Sequence, residues 1–185
     1  MVTPWKVTDM RQMFDGATAM THPVPAPQPK TKEELKEWLV EYDSGEQEEL
    51  FVGERGEPNT WDVTLVTNMS GLFGGMKTFN APIDQWNTSK VTDMSYMFCD
   101  ASSFNQPITM DTSQVTDMRQ MFHRASSFNQ PITMDTSQVT SMSKMFSKAS
   151  SFNQPITMDT SKVTDMDDMF EDADAMTHPM PSCRR

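Results

Sequence analysis

Three aspartates spaced 24 residues apart, Asp111, Asp135 and Asp159, are the first candidates for site chemistry. Each stands two residues after a threonine of a second evenly spaced set, Thr109, Thr133 and Thr157. Carboxylates stacked in a column repel one another unless they bond turn amides or share a cation. Turn capping and a Ca²⁺ contact are both open readings, although the clustered alternating acids of a dedicated calcium loop are absent. A flat row of threonines suits ice or carbohydrate, but three rungs beside three like charges make a poor ice plane. The threonines are therefore a candidate binding face, and the aspartates are weak metal candidates. His22 and His178 share the motif Met-Thr-His-Pro and read as edge residues in preference to ligands. No Ser/His/Asp or Cys/His arrangement recurs and no Gly-rich phosphate loop is present, so neither catalysis nor a cofactor is expected.

These residues are positioned by a repeat. Val91–Met110 reads VTDMSYMFCDASSFNQPITM, Val115–Met134 reads VTDMRQMFHRASSFNQPITM, and Val139–Met158 reads VTSMSKMFSKASSFNQPITM. Val163 begins another copy and Val66 an earlier one. A fixed period in the twenties with fixed apolar positions is the signature of a stacked coil. The expected fold is an α/β repeat, a solenoid with a narrow parallel sheet and short helices opposite. In the Val115 unit, Val115, Met118, Met121, Phe122 and Ala125 are spaced for one buried face of a short helix, with Thr116 as N-cap and Asp117 at its positive end. Residues 131–135 alternate, so Ile132 and Met134 point inward along a short strand while Thr133 and Asp135 point outward. Equivalent strands are expected at 107–111 and 155–159. An extra residue in Ile83-Asp84-Gln85-Trp86 predicts a local bulge.

Stacking turns residues into columns. Phe79, Phe104, Phe128 and Phe152 form an aromatic column in the core. Asn80, Asn105, Asn129 and Asn153 follow them, and an inward amide at such a corner is expected to bond backbone groups of neighbouring coils. Cys99 shares its repeat position with His123, Ser147 and Glu171, which reads as a solvated face.

Before the array, Thr31 to about Asp43 reads as a helix. Thr31 and Glu34 form a capping box, and Leu35, Trp38, Leu39 and Tyr42 make one apolar face that would cover the open end of the stack. Pro23–Pro29 is a semi-rigid connector. The chain divides into a terminal-type half repeat at 1–25, a linker and capping helix at 26–60, about five coils at 61–181, and a tail at 182–185. Val7–Pro25 matches Val163–Pro181 better than either matches the interior coils, which suggests tandem modules in a longer chain.

The composition of 19 Met and 11 Phe implies a core of thioether and aromatic groups. The formal net charge of -11 disfavours nucleic acid and anionic membrane surfaces as partners. No apolar run approaches a membrane span, and no signal-like run follows Met1. Asn68 and Asn87 head glycosylation triplets that would matter in a secreted protein. Cys99 and Cys183 do not define a redox compartment, and their bonding is left open.

The motifs VTDMxxMF, ASSFNQPI and WDVTLVTNM resemble the BspA-like family of leucine-rich-repeat surface proteins, in the branch whose repeats carry Met-Phe in place of Leu. The resemblance covers about 61–181 and 7–25. It implies a right-handed leucine-rich-repeat-like solenoid, commonly on cell surfaces or secreted, used for adhesion or binding. Met110, Met134 and Met158 depart from the family's usual strand Trp. The expected function is a non-catalytic surface or extracellular adhesion or scaffold module with a protein or glycan partner. One alternative is an accessory or linker subunit bridging proteins in an intracellular complex. A weaker one is a calcium-dependent or ice-binding adhesin.

Overall fold

In the repeat, alternate backbone N–H groups go to two different places. From Met118 to Arg124 the even-numbered residues donate upward to the next coil: Met118 to Ser141 O (3.0 Å), Gln120 to Ser143 O (2.8 Å), Phe122 to Met145 O (2.9 Å) and Arg124 to Ser147 O (2.9 Å). The odd-numbered residues donate within their own coil, Met121 to Met118 O, His123 to Gln120 O and Ala125 to Phe122 O. The same pattern recurs one coil earlier and one coil later. Arg119 N–H goes to Asp117 Oδ1 (2.9 Å), and the other amides of the segment are satisfied by a run of four-residue turns that is also a rung of a ladder.

This computed structural model describes residues 25–44, 55–179 and 181. Five coils, beginning at Val66, Val91, Val115, Val139 and Val163, stack in chain order and are linked by these bonds. One continuous core runs through them from Leu35 to Met169.

Secondary structure departs from the expectation of a parallel-sheet solenoid with opposed helices. Among the described residues there is no β-sheet, and the repeats contain no helix. Isolated parallel bridges take their place. They connect Asn68 to Asp93, Asp93 to Asp117, Asp117 to Ser141 and Ser141 to Asp165, with a single further bridge between Ile108 and Ile132. The ladder therefore runs through the segment read as helical, and the segment read as a strand is nearly unbridged.

Physical reasons account for both corrections. An α-helix uses all its amides internally and needs about 8–10 Å between neighbouring axes. The rings of Phe98, Phe122, Phe146 and Phe170 follow one another at 5.3, 5.4 and 5.4 Å, too close for helices to stack. The burial of Val115, Met118, Met121, Phe122, Ala125 and Phe128 is as compatible with successive turns as with a helix. Thr116 does not cap a helix: its N–H and its hydroxyl both donate to Thr92 O. At the other segment, Pro107, Pro131 and Pro155 bring no amide to the rung, so pairing there does not propagate. Ile132 and Met134 are buried, and Thr133 and Asp135 are exposed.

The turns impose a left-handed backbone at two positions per coil. Tyr96, Gln120, Lys144 and Asp168 have φ between 53° and 59°, and Asp100, Arg124, Lys148 and Asp172 between 54° and 62°. In the Val66 coil the same two positions are glycines, Gly71 (φ 59°) and Gly75 (φ 78°). Positive φ at the third residue of a hydrogen-bonded turn is the type II geometry that favours glycine. The extra residue near Gln85 is absorbed as a further turn, with Trp86 N–H on Ile83 O.

Helix α1, Lys32–Ser44, covers the first coil. Glu34 N–H donates to Thr31 Oγ1 (3.1 Å), while the Glu34 carboxylate reaches back to Lys30 N–H (2.8 Å). Leu35 and Leu39 are fully buried. Trp38 meets Trp61 edge-on at 5.5 Å, and Tyr42 meets Phe79 at 6.2 Å. Lys36 Nζ donates to Gly71 O (2.9 Å), which also accepts Gly74 N–H within its own coil, and Lys32 Nζ donates to Ser70 Oγ. Residues 1–24, 45–54, 180 and 182–185, with all but the last residue of the half repeat, His22, Cys183 and the whole tail, lie outside the described residues.

Candidate functional site

Most of the columns hold the stack together. Asn80 Oδ1 accepts Asn105 N–H (2.9 Å), Asn105 Oδ1 accepts Asn129 N–H (3.0 Å), and Asn129 Oδ1 accepts Asn153 N–H (2.9 Å). Asn153 Oδ1 accepts Thr177 N–H (2.9 Å). Gln106, Gln130 and Gln154 reinforce the row by donating to the carbonyl of the preceding coil's Asn. These amides lie at a half-exposed corner, with Asn80 the exposed member of the row. Beside them Phe104, Phe128 and Phe152 stack at 6.2 and 6.0 Å, and Phe79 meets Phe104 at 6.2 Å.

Each member of the Asp column caps its own turn. Asp111, Asp135 and Asp159 accept the N–H of Ser113 (3.0 Å), Ser137 (2.9 Å) and Ser161 (2.8 Å). Backbone bonds from these serines hold the Asp111 and Asp135 carboxyls below the usual carboxylate range. Among the described residues, no group of three or more His, Cys, Asp or Glu side chains could hold a metal ion. Thr109 donates to Asp84 O (3.0 Å), and Thr109, Thr133 and Thr157 are exposed. Asn87 Oδ1 accepts Ser89 N–H, leaving an exposed amide. Asn68 Nδ2 is engaged with Asp93 at 3.2 Å, so a glycan there would cost that bond.

A buried threonine row went unrecognised in the sequence. Thr88, Thr112 and Thr136 send their hydroxyls to the carbonyls of Asp111, Asp135 and Asp159 in the next coil, at 2.8–2.9 Å. The signal was present in the recurring Thr-Ser after each Asp or Asn, which the turn reading explained without needing an inter-coil bond.

The coils beginning at Val91, Val115 and Val139 differ at six of 24 positions. Five of the six fall within one short stretch, at Asp93, Ser95, Tyr96, Cys99 and Asp100 and their equivalents. In the Val115 coil these are Asp117, Arg119, Gln120, His123 and Arg124, and in the Val139 coil Ser141, Ser143, Lys144, Ser147 and Lys148. They lie on the left-handed turns. The buried apolar side chains stay constant while this stretch changes from coil to coil, although it includes the bridge position Asp93, Asp117 and Ser141 and the buried Ser95 and Ser147.

Its charges are ordered along the stack. Arg119, Arg124, Lys144 and Lys148 form a cationic band on a chain of net charge -11, followed by Asp167, Asp168, Glu171 and Asp172. Arg124 approaches Asp100 at 3.7 Å, Lys144 approaches Asp168 at 3.7 Å, and Lys148 approaches Asp172 at 3.9 Å. Pairs this exposed contribute about 0–1 kcal/mol each and leave the groups accessible. Cys99 and His123 sit half-buried between them. Burial, then the Asp100 charge, pushes the Cys99 thiol up to about 11. Burial, then Arg124, lowers the His123 pKa, and its buried Nδ1 has no hydrogen-bond partner. A thiol held protonated and a histidine held neutral are poor nucleophilic machinery at neutral pH. A shallow depression along α1 is lined by Glu33, Lys36, Glu37, Val40 and Glu41, and its Lys36 amine is engaged with Gly71 O.

Near-identical coils stacked in register on a shared core define a repeat protein. The chain belongs to the family described as Mycoplasma protein of unknown function, DUF285, whose model matches residues 3–48, 46–134 and 109–183. No curated protein and no solved structure matches the chain. Among the described residues, no helix is long and apolar enough to cross a membrane.

Proposed function

We propose that this protein is a non-catalytic binding or scaffold module that engages a protein or glycan partner through the variable face of coils 91–172. One observation carries this reading: copies otherwise identical differ almost solely along one stretch of each coil, most of whose side chains, the buried Ser95 and Ser147 apart, reach the surface. A stack needs its core and ladder residues to repeat, but it does not need Tyr96, Gln120 and Lys144 to differ. A binding surface does. The resemblance to BspA-like surface proteins supports adhesion at a cell surface as the setting, and the cationic band supports a partner with acidic groups.

The test compares the full chain with a face variant carrying Asp117→Ser, Arg119→Ser, Gln120→Lys, His123→Ser and Arg124→Lys, which turns the Val115 face into that of the Val139 coil. Binding is read on arrays of glycans and extracellular proteins. The expected result is altered binding at an unchanged melting temperature, with Thr133→Ala on another face having no effect. Equal binding by parent and face variant, with loss on Thr133→Ala, would move the site to the threonine row.

A further inference from the structure

The two ends of the stack are finished differently. At the first coil, α1 buries Leu35 and Leu39 and its Lys36 occupies Gly71 O. At the last coil nothing equivalent is present among the described residues. Met166 and Phe170 are half-exposed, although their counterparts Met94, Met118, Met142, Phe98, Phe122 and Phe146 are fully buried. The N–H groups of Met166, Asp168, Phe170 and Asp172 stand where interior coils donate to a following coil, and among the described residues they donate to none. This is an open rung of main-chain donors beside an apolar step, the kind of edge that a further segment extends.

The chain carries a segment that fits this rung. Val7–Phe14 reads VTDMRQMF, letter for letter the sequence of Val115–Phe122. Val7, Met10, Met13 and Phe14 correspond in sequence to the buried Val115, Met118, Met121 and Phe122, and Gly16 corresponds to the position that Gly75 fills in the first coil. Arg11 would stand above Asp167. At the other end of the stack the first coil is already covered by α1.

We infer that the open end of the stack takes residues 7–16 of a second copy of this chain as its next coil, giving head-to-tail association. Reach favours a second copy over the same chain. Asp62 N–H on Pro27 O fixes Pro27 below the first coil (2.8 Å). A sixth coil would lie six rungs away, roughly 29 Å at about 4.8 Å per rung. Residues 20 to 27 span about 25 Å at full extension, too short once Met20 has joined the column of Phe152 and Met176. Because donor segment and acceptor end are different surfaces, the contact is heterologous and does not close at a dimer.

Sedimentation of the full chain over a range of concentrations tests this. The weight-average mass should rise from 21.0 kDa past twice that value with no plateau at the dimer. Phe14→Asp, which spoils the donor, and Met166→Lys, which spoils the acceptor, should each remain monomeric. Mixed in equal amounts they should form a dimer and stop, since one good donor and one good acceptor remain. Should Met166→Lys fail to fold, a labelled peptide of residues 5–22 is titrated into the Phe14→Asp chain. Saturable one-to-one binding is expected, with none for the same peptide carrying Phe14→Asp. A parent chain that stays monomeric, a mixture that gives no dimer, or a peptide that does not bind would each overturn the inference.

Discussion

Replacing Gln120 by glycine should make the protein more stable, although it deletes a side chain. Gln120 has φ 53°, and its backbone lies in two essential bonds, its N–H to Ser143 O and its O from His123 N–H. Holding an L-residue in the left-handed region costs roughly 1–2 kcal/mol, which glycine does not incur. Against this, glycine loosens the unfolded chain by about 0.4–1 kcal/mol. The side chain gives up only a long contact, Nε2 to Tyr96 Oη at 3.3 Å. The net gain is about 0.5–1 kcal/mol. Arg119→Gly, one residue earlier and outside the positive-φ set, has no strain to relieve and should lose about 0.5–1 kcal/mol. Gln120→Val should lose more, because a branched Cβ is least tolerated there. Urea denaturation followed by far-ultraviolet circular dichroism reads all three. If Gln120→Gly and Arg119→Gly lose stability equally, the turns do not have the handedness described.

Phe128→Ala should destabilise by about 3–5 kcal/mol, since the ring is fully buried between Phe104, Phe122 and Phe152, whereas exposed Thr133→Ala should stay within about ±0.5 kcal/mol in the same denaturation assay. Asn129→Ala should cost about 1–3 kcal/mol by stranding Asn153 N–H, and Asn129→Asp, which keeps an acceptor oxygen, should cost less; amide exchange at Asn153 distinguishes them. The lowered pKa of His123 means the unfolded chain binds more protons. Its contribution is therefore complete above the unfolded value near 6.5 and is lost as pH falls below it. His123→Gln should flatten the dependence of melting temperature on pH in that range.

The period, the order of the coils and the buried columns were legible because each needs only identity at a fixed spacing. The local conformation was not. Residues 115–125 bury the same side chains whether wound as a helix or folded as turns, so apolar spacing cannot separate the two. The discriminating clue was the glycine pair, Gly71 and Gly75, at positions filled elsewhere by Tyr96, Gln120, Asp100 and Arg124. Glycine four residues apart marks left-handed corners and is foreign to a helix interior. Residues 131–135 did alternate, but alternation sets which way side chains face and says nothing of whether a proline-led segment finds rung partners. The variable face was readable by aligning the coils with one another, a comparison that needs no structure. That its residues sit on one side needed the turns.

The upward bonds between coils have a mechanical consequence. Met118, Gln120, Phe122 and Arg124 donate along the direction in which the coils are piled, so a force pulling the two ends apart loads one rung at a time. The protein should peel like a zip from its uncovered end, at low force. Each released coil would add about 80 Å of contour, the extended length of 24 residues less one rung. Pulled in a single-molecule instrument, it should give a short train of equal steps where a cooperative globule would give one large rupture. A tether built this way yields in increments and shortens again as coils re-form, behaving as a spring with a fixed number of clicks.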